Sequence, residues 1–218
     1  MARPSKHDPS FPPAAPRGDA ASRRIVSAAR RHFFTHGFRN VTMDDLAEEL
    51  GMSKKTLYVS FPSKTHLLRA VLLDKFNAVD GDLGRIMSEG SGDVLQALHR
   101  LLACMRQHTE EIQPPFVRDI RREAPEMFEL VQRLRRDLIQ RYFGRLFEQG
   151  RRTGIIRKDI SIRLMIEILL GATESIVNPA KLAELGLTVK NGYLAVINVI
   201  LEGVLATKHR SHKLHARG

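Results

Sequence analysis

The residues best equipped for chemistry lie in one short stretch. Ser53-Lys54-Lys55-Thr56 places two cations between two hydroxyls, Tyr58 follows one position beyond Leu57, and Lys64 comes two residues after Pro62. Cations neutralise phosphates, and short hydroxyl and amine side chains reach base edges in the major groove, so the set suits double-stranded DNA. The plainer readings are helix caps for Thr42 and Ser53, a surface ring for Tyr58, and a solvated basic face for Lys54, Lys55 and Lys64. Either way the flanking residues must form a support. Thr42 with Asp45 three positions on makes a variant capping box, Val41 can staple to Leu46, and Met43, Ala47 and Leu50 share a face. Gly51 stops that helix, Ser53 caps the next, and Met52 can staple to Leu57. Pro62 holds Phe61 out of the helical region, and Ser63 caps a further helix opening at Lys64. Upstream, Ile25, Ala29 and Phe33 recur every four residues until Gly37, beyond which Phe38 can fold back on Phe33.

Two short helices meeting at a glycine-containing turn have helix-turn-helix anatomy. The runs Thr42-Met43-Asp44-Asp45-Leu46-Ala47, Gly51-Met52-Ser53-Lys54-Lys55-Thr56-Leu57-Tyr58 and Phe61-Pro62-Ser63-Lys64 resemble the signature of the TetR (tetracycline-repressor) family. The close resemblance extends from the first helix to the start of the fourth; the remainder is similar in length and helix order. It implies a phosphate contact at Thr42 and a recognition helix opened by Ser53, Lys54, Lys55 and Thr56, with Lys55 and Thr56 at base edges. It also implies a backbone contact at Tyr58 and a fourth helix aimed at DNA through Lys64. Where many members carry His or Tyr before the phenylalanine, this chain has Val59 and Ser60, which leaves Val59 for a thymine methyl. The implied partners are palindromic operator DNA, a second copy of the chain, and a small-molecule effector that releases the repressor.

The rest of the chain reads as helix throughout, giving an all-α fold: a three-helix DNA-binding head and a C-terminal helical bundle for regulation and dimerisation. Expected helices cover Asp93 to Thr109, Pro114 to Glu123, Glu126 to Thr153, Ile160 to Val177 and Val189 to Thr207, with one helical turn at Lys181 to Leu185 and a bend or break between Gly81 and Gly92. The expected division is a Pro-rich arm at 1–18, the head at 19–66, the ligand-binding and dimerisation part at 67–208, and a basic tail at 209–218. A formal net charge of +11 favours polyanionic partners. The single Cys104 excludes an intramolecular disulfide and a cysteine-cluster zinc site. No apolar run is long enough for a membrane span and the basic N-terminus has no apolar run behind it, so a cytoplasmic protein without a membrane partner is expected.

No phosphate loop, His-Glu-x-x-His or nucleophile elbow occurs, so neither catalysis, cofactor nor metal is expected. His209, His212 and His215 read as part of the basic tail. Met105, Phe116, Phe128, Tyr142 and Phe147, with Glu174, are the candidates for an effector pocket, and Glu167 is a further acid on the same helix as Glu174. Gly171, Ala172 and Ser175 form a small-residue patch, and Val196, Ile197, Ile200, Leu201 and Val204 offer apolar surface, so these eight are the expected dimer interface. The rival readings are a non-specific or architectural DNA-binding protein, for which the charge alone suffices, and a helical carrier of a small ligand.

Overall fold

The computed structural model describes residues 20–89 and 93–205, leaving aside the side chains of residues 179, 189, 190, 197 and 201. The arm at 1–18, the tail at 209–218 with its three histidines, and the side chains of Ile197 and Leu201 therefore lie outside the described residues. The elements are α1 (Ala20–His36), α2 (Met43–Glu49), α3 (Lys54–Ser60), α4 (Lys64–Glu89), α5 (Val94–Glu110), α6 (Pro114–Glu123), α7 (Pro125–Arg152), α8 (Ile162–Ile176), α9 (Pro179–Glu184) and α10 (Val189–Val204). Among the described residues no strand forms, and Ile156 and Leu205 make one isolated bridge.

Local chemistry sets the helix ends in the head. Gly37 takes φ +89°, its N–H bonds the Phe33 carbonyl at 3.0 Å, and Phe38 packs edge-on against Phe33 with ring centroids 5.4 Å apart. At the end of α2, Gly51 takes φ +62°, its N–H reaching Glu48 O while the Met52 N–H reaches Ala47 O, both at 3.0 Å. That paired pattern is a Schellman end, and it turns the chain sharply into α3.

α4 runs unbroken through Gly81 and Gly84 to Glu89, so the interruption expected between Gly81 and Gly92 does not fall at those glycines. Gly84 has a packing reason, because a Cβ there would sit 3.3 Å from the Tyr142 hydroxyl. α4 and α7, with 26 and 28 residues, are each roughly 40 Å long and tie the molecule together. One apolar cluster joins Ile25, Phe33, Leu46, Leu57, Leu67 and Leu68 to Phe116, Ile120 and Leu134; a second joins Leu83, Leu98 and Leu101 to Leu138, Phe143, Phe147 and Leu169. Apolar packing thus continues past residue 66, and the core beneath the head includes side chains from α6 and the first half of α7.

Candidate nucleic-acid interface

The head presents α3 on a narrow support. Leu57 is its buried side chain and packs with Leu46 and Ala47 of α2, whereas Lys54, Lys55, Thr56, Tyr58 and Val59 are exposed. Tyr58 is 45% exposed and Val59 76%, unusual values for large apolar side chains in a small domain. The caps are formed as the spacing requires. The Thr42 hydroxyl accepts from the Asp45 N–H at 3.1 Å, and the Thr42 N–H donates back to the Asp45 carboxylate at 3.0 Å. The Thr42 hydroxyl first, and then its N–H, acting on the carboxylate, hold the Asp45 carboxyl below its usual range. Ser53 Oγ accepts from the Thr56 N–H at 3.1 Å and lies 2.8 Å from the Thr56 hydroxyl.

Two of the lysines have partners within the chain. Lys54 Nζ donates to Asp44 Oδ2 at 2.6 Å, and that bond raises its pKa. Lys64 lies 4.4 Å from the centroid of the Phe38 ring, donates to the Arg39 carbonyl at 3.3 Å, and has its pKa lowered by burial. Lys55 is exposed at the opening of α3. The sequence reading missed these intrachain contacts because each partner lies outside the lysine's own helix.

Behind the head a cavity of about 210 Å³ opens between α1, α4, α5, α6, α7, α8, α9 and α10. Met105, Phe116, Phe128 and Glu174 line it as expected. Tyr142 and Phe147 do not. Tyr142 donates to Asp80 Oδ1 at 2.8 Å on α4, and Phe147 lies one turn beyond Phe143, the furthest α7 residue lining the cavity, and packs edge-on behind that ring. Glu167 is also directed elsewhere, to Arg136 Nη1 at 2.7 and 2.8 Å. The sequence reading missed Phe34, Lys75, Arg135 and Tyr193, all of which line the cavity. Lys75 was detectable, because Leu72, Lys75 and Val79 share one helical face.

The cavity touches the head directly. Phe34, at the end of α1, packs edge-on against Phe116 of α6 with centroids 4.8 Å apart, and its carbonyl accepts from the Gln113 N–H at 2.9 Å. Asp119 of α6 accepts from the Arg39 N–H at 2.9 Å. α6 therefore grips the end of α1.

At the α4–α5 seam, Lys75 is 4% exposed and pairs with Glu111, which also takes a bidentate contact from Arg30. Its Nζ lies 2.9 Å from His108 Nδ1, whose Nε2 lies 2.9 Å from Asp82. Asp82, Cys104 and His108 bring potential ligand atoms within 4.8 Å of one another. Both imidazole nitrogens already have partners, burial pushes the Cys104 thiol up to about 11, and Lys75 stands beside the group. A hydrogen-bonded network accounts for that arrangement.

On the far side, α8 and α10 pack on each other. Gly171 and Ser175 are exposed, Ala172 and Ile200 are half-buried, and a Cβ at Gly171 would meet nothing within 4 Å. Val196 and Val204, expected at a dimer interface, are instead buried within the subunit at 8% and 5% exposure, because α10 turns that face toward its own chain. The apolar side chains left outward are Leu164, Ile168 and Val199. Leu164, Ile168, Gly171 and Ser175 follow a four-four-three-four helical spacing from Ile160 and share one stripe.

Comparison with known proteins falls on this same head. Residues 25–71 match the family model described as bacterial regulatory proteins, tetR family. The chain is 30% identical over 87 residues to the HTH-type transcriptional regulator EthR of Mycolicibacterium smegmatis, 40% of each chain. It is 34% identical over 80 residues to the HTH-type transcriptional regulator TtgR of Pseudomonas putida, covering 36% of this chain and 38% of that one. These matches span about two fifths of the relatives' length. The whole fold is similar to a transcriptional regulator from Cytophaga hutchinsonii, with TM-score 0.65 at 18% identity, over 86% of this chain and all of that one. It is likewise similar to the TetR family transcriptional regulator PfmR of Thermus thermophilus, with TM-score 0.58 at 24% identity, over 82% and 97%. Residues 25–71, the helix-turn-helix head, thus match the tetR family of bacterial regulatory proteins, and the regulators EthR and TtgR are similar to this chain over about two fifths of their length.

Proposed function

We propose that the protein is a sequence-specific DNA-binding regulator that represses transcription as a homodimer and is released from its operator by a small molecule held in the cavity. The observation carrying the DNA reading is α3 itself: a seven-residue helix anchored by Leu57, with Lys55, Thr56, Tyr58 and Val59 exposed together. Such a helix spends little surface on its own fold and presents the rest to a groove. In this reading Lys55 and Thr56 read base edges, Tyr58 and Thr42 meet phosphates, and Ser53 and Lys54 frame the entry of α3. Lys64, stacked on Phe38, acts mainly by holding the α3–α4 corner.

The exposed stripe on α8, with Val199 of α10, supports a two-fold pairing. A two-fold dimer suits a palindrome, with recognition helices roughly 34–36 Å or more apart. The cavity supports the release step, since its occupant meets Phe34 of α1 and Phe116 of α6, which grips α1. A ligand favouring the displaced arrangement lowers operator affinity tenfold for about 1.4 kcal/mol of coupling, and DNA weakens that ligand by the same factor.

Footprinting of the palindrome beside the protein's own gene, against random duplex at fixed salt, tests the reading. Operator binding should exceed random binding by orders of magnitude, and Lys55→Ala or Thr56→Ala should cost about 1–3 kcal/mol at one base position. Equal affinity for random DNA would make it a non-specific coating protein. Unchanged operator affinity in both Lys55→Ala and Tyr58→Ala would rule out this docking.

A further inference from the structure

We propose that the molecule taken by the cavity is a monocarboxylate on an apolar body, and that Arg135 and the Tyr193 hydroxyl receive its carboxylate. The regulatory consequence rests on the effector-release reading above; the chemistry of the site rests on the cavity alone.

Charge balance inside the cavity singles out Arg135. Its Nη2 donates to the Leu170 carbonyl at 3.0 Å; among the described residues no carboxylate makes a contact ion pair with it, and Glu174 acts on it only at longer range. The adjacent Arg136, by contrast, makes two contacts with Glu167. A guanidinium has five N–H donors in a planar fork and stays charged, so one without a contact carboxylate on a largely apolar wall keeps donors free for an anion. The other cations on the wall differ from it: Lys75 pairs with Glu111, and Arg121 is exposed to solvent, with the Phe128 ring 4.7 Å away.

Tyr193 supplies the second donor. It is 7% exposed, lines the same cavity, and is close enough to Arg135 for each to shift the other's titration. Its hydroxyl makes no hydrogen bond to another described residue and is not sealed away, so it stands open to the cavity, where a phenol takes a partner. A carboxylate offers what both groups lack: two oxygens for the guanidinium fork, with lone pairs left for the phenol. Glu174 at the same end is exposed and disfavours a second negative charge, which selects a monoanion over a dianion. The body of the ligand then runs toward Phe116 and Phe34 at the joint with the head. At about 10–15 Å³ of cavity space per water-sized group, the 210 Å³ holds about fourteen groups or more, room for the ten non-hydrogen atoms of an eight-carbon acid.

Calorimetry on the full chain without DNA, using octanoate, 1-octanol and octyltrimethylammonium as probes, tests the proposal. Octanoate should bind saturably and at least tenfold more tightly than 1-octanol, with the ammonium weaker than both. Arg135→Gln should abolish the preference for acid over alcohol, and Tyr193→Phe should reduce it several-fold, while retained alcohol binding reports an intact cavity in each variant. Equal binding of acid and alcohol in the wild-type chain, no saturable octanoate binding, or a preference unmoved by Arg135→Gln would overturn it. Operator titration separates the two readings. Octanoate bound with the expected preference but without effect on operator affinity removes the release mechanism and leaves the carboxylate site standing; release by 1-octanol as effective as by octanoate at equal affinity does the reverse.

Discussion

Lys54 and Asp44 show how one ion pair could tune the surface proposed to meet DNA without being part of the fold. The 2.6 Å contact links the first turn of α3 to the first turn of α2, with both side chains exposed. Asp44 suits the positive end of its helix, yet its carboxylate also stands where phosphates are expected to approach. Asp44→Asn removes one negative charge and frees Lys54. The expected result is tighter binding to operator and random duplex alike, with the slope of log affinity against log salt steeper by about one, as for one more phosphate neutralised. Base preference should not change. Gel-shift titrations across a salt series measure both, and an unchanged slope would mean that Lys54 meets no phosphate.

The α4–α5 seam carries a pH dependence, because it buries a lysine. Burial, with Arg30 adding to it, brings Lys75 down to about 7, and the opposing pull of Cys104 and Asp82 is too weak to offset it. His108 is lowered as well, again by burial first, with Asp82 opposing. Between pH 7 and the ordinary lysine value of 10.5, the unfolded chain therefore binds more protons at this residue than the folded one, and stability rises with pH. Below 6.5 the histidine acts in the same direction. Thermal melts from pH 7 to pH 9 should show Tm rising, and Lys75→Met should flatten that rise while Arg30 keeps Glu111 paired; an equal rise in the variant would place its source elsewhere. This seam also marks what could be read in the sequence. Caps at Thr42 and Ser53 and stops at Gly37 and Gly51 were legible because each depends on residues three to five positions apart. The helix-turn-helix residues were legible for the same reason. The cavity was only partly so, since it is the space left between helices distant in sequence, and its lining depends on how each is rotated. Hence Tyr142 turned to Asp80 and Tyr193 turned inward, although both are tyrosines in amphipathic helices. Arg135 gave no signal of its own, because it is one of several arginines along α7 and only the packing sets it apart.

At the scale of the whole molecule, the head, the cavity and the α8–α10 face are linked by two long helices, and a second subunit is what would turn this linkage into operator selection. One head meets one half-site; two heads at a fixed spacing meet a palindrome, and only a paired molecule converts a small swing of α4 into loss of both contacts. The α8 stripe gives a way to separate pairing from folding. Gly171 is exposed, and a side chain there meets nothing within 4 Å inside its own subunit. Glycine inside a helix is also about 1 kcal/mol less favourable than alanine, so substitution does not threaten the helix. Gly171→Arg therefore should leave Tm unchanged or higher when measured at concentrations where the wild type is dissociated. On the proposed two-fold face, however, it would place a bulky cation against its symmetry mate. Light scattering at micromolar concentration should show the wild-type chain as a dimer and Gly171→Arg as a monomer. Operator affinity should fall at least a hundredfold, while weak binding to random duplex persists because α3 is untouched. Octanoate binding should also persist, since Arg135 and Tyr193 belong to the same subunit. A Gly171→Arg chain that remains dimeric and keeps full operator affinity would move the subunit contact away from α8.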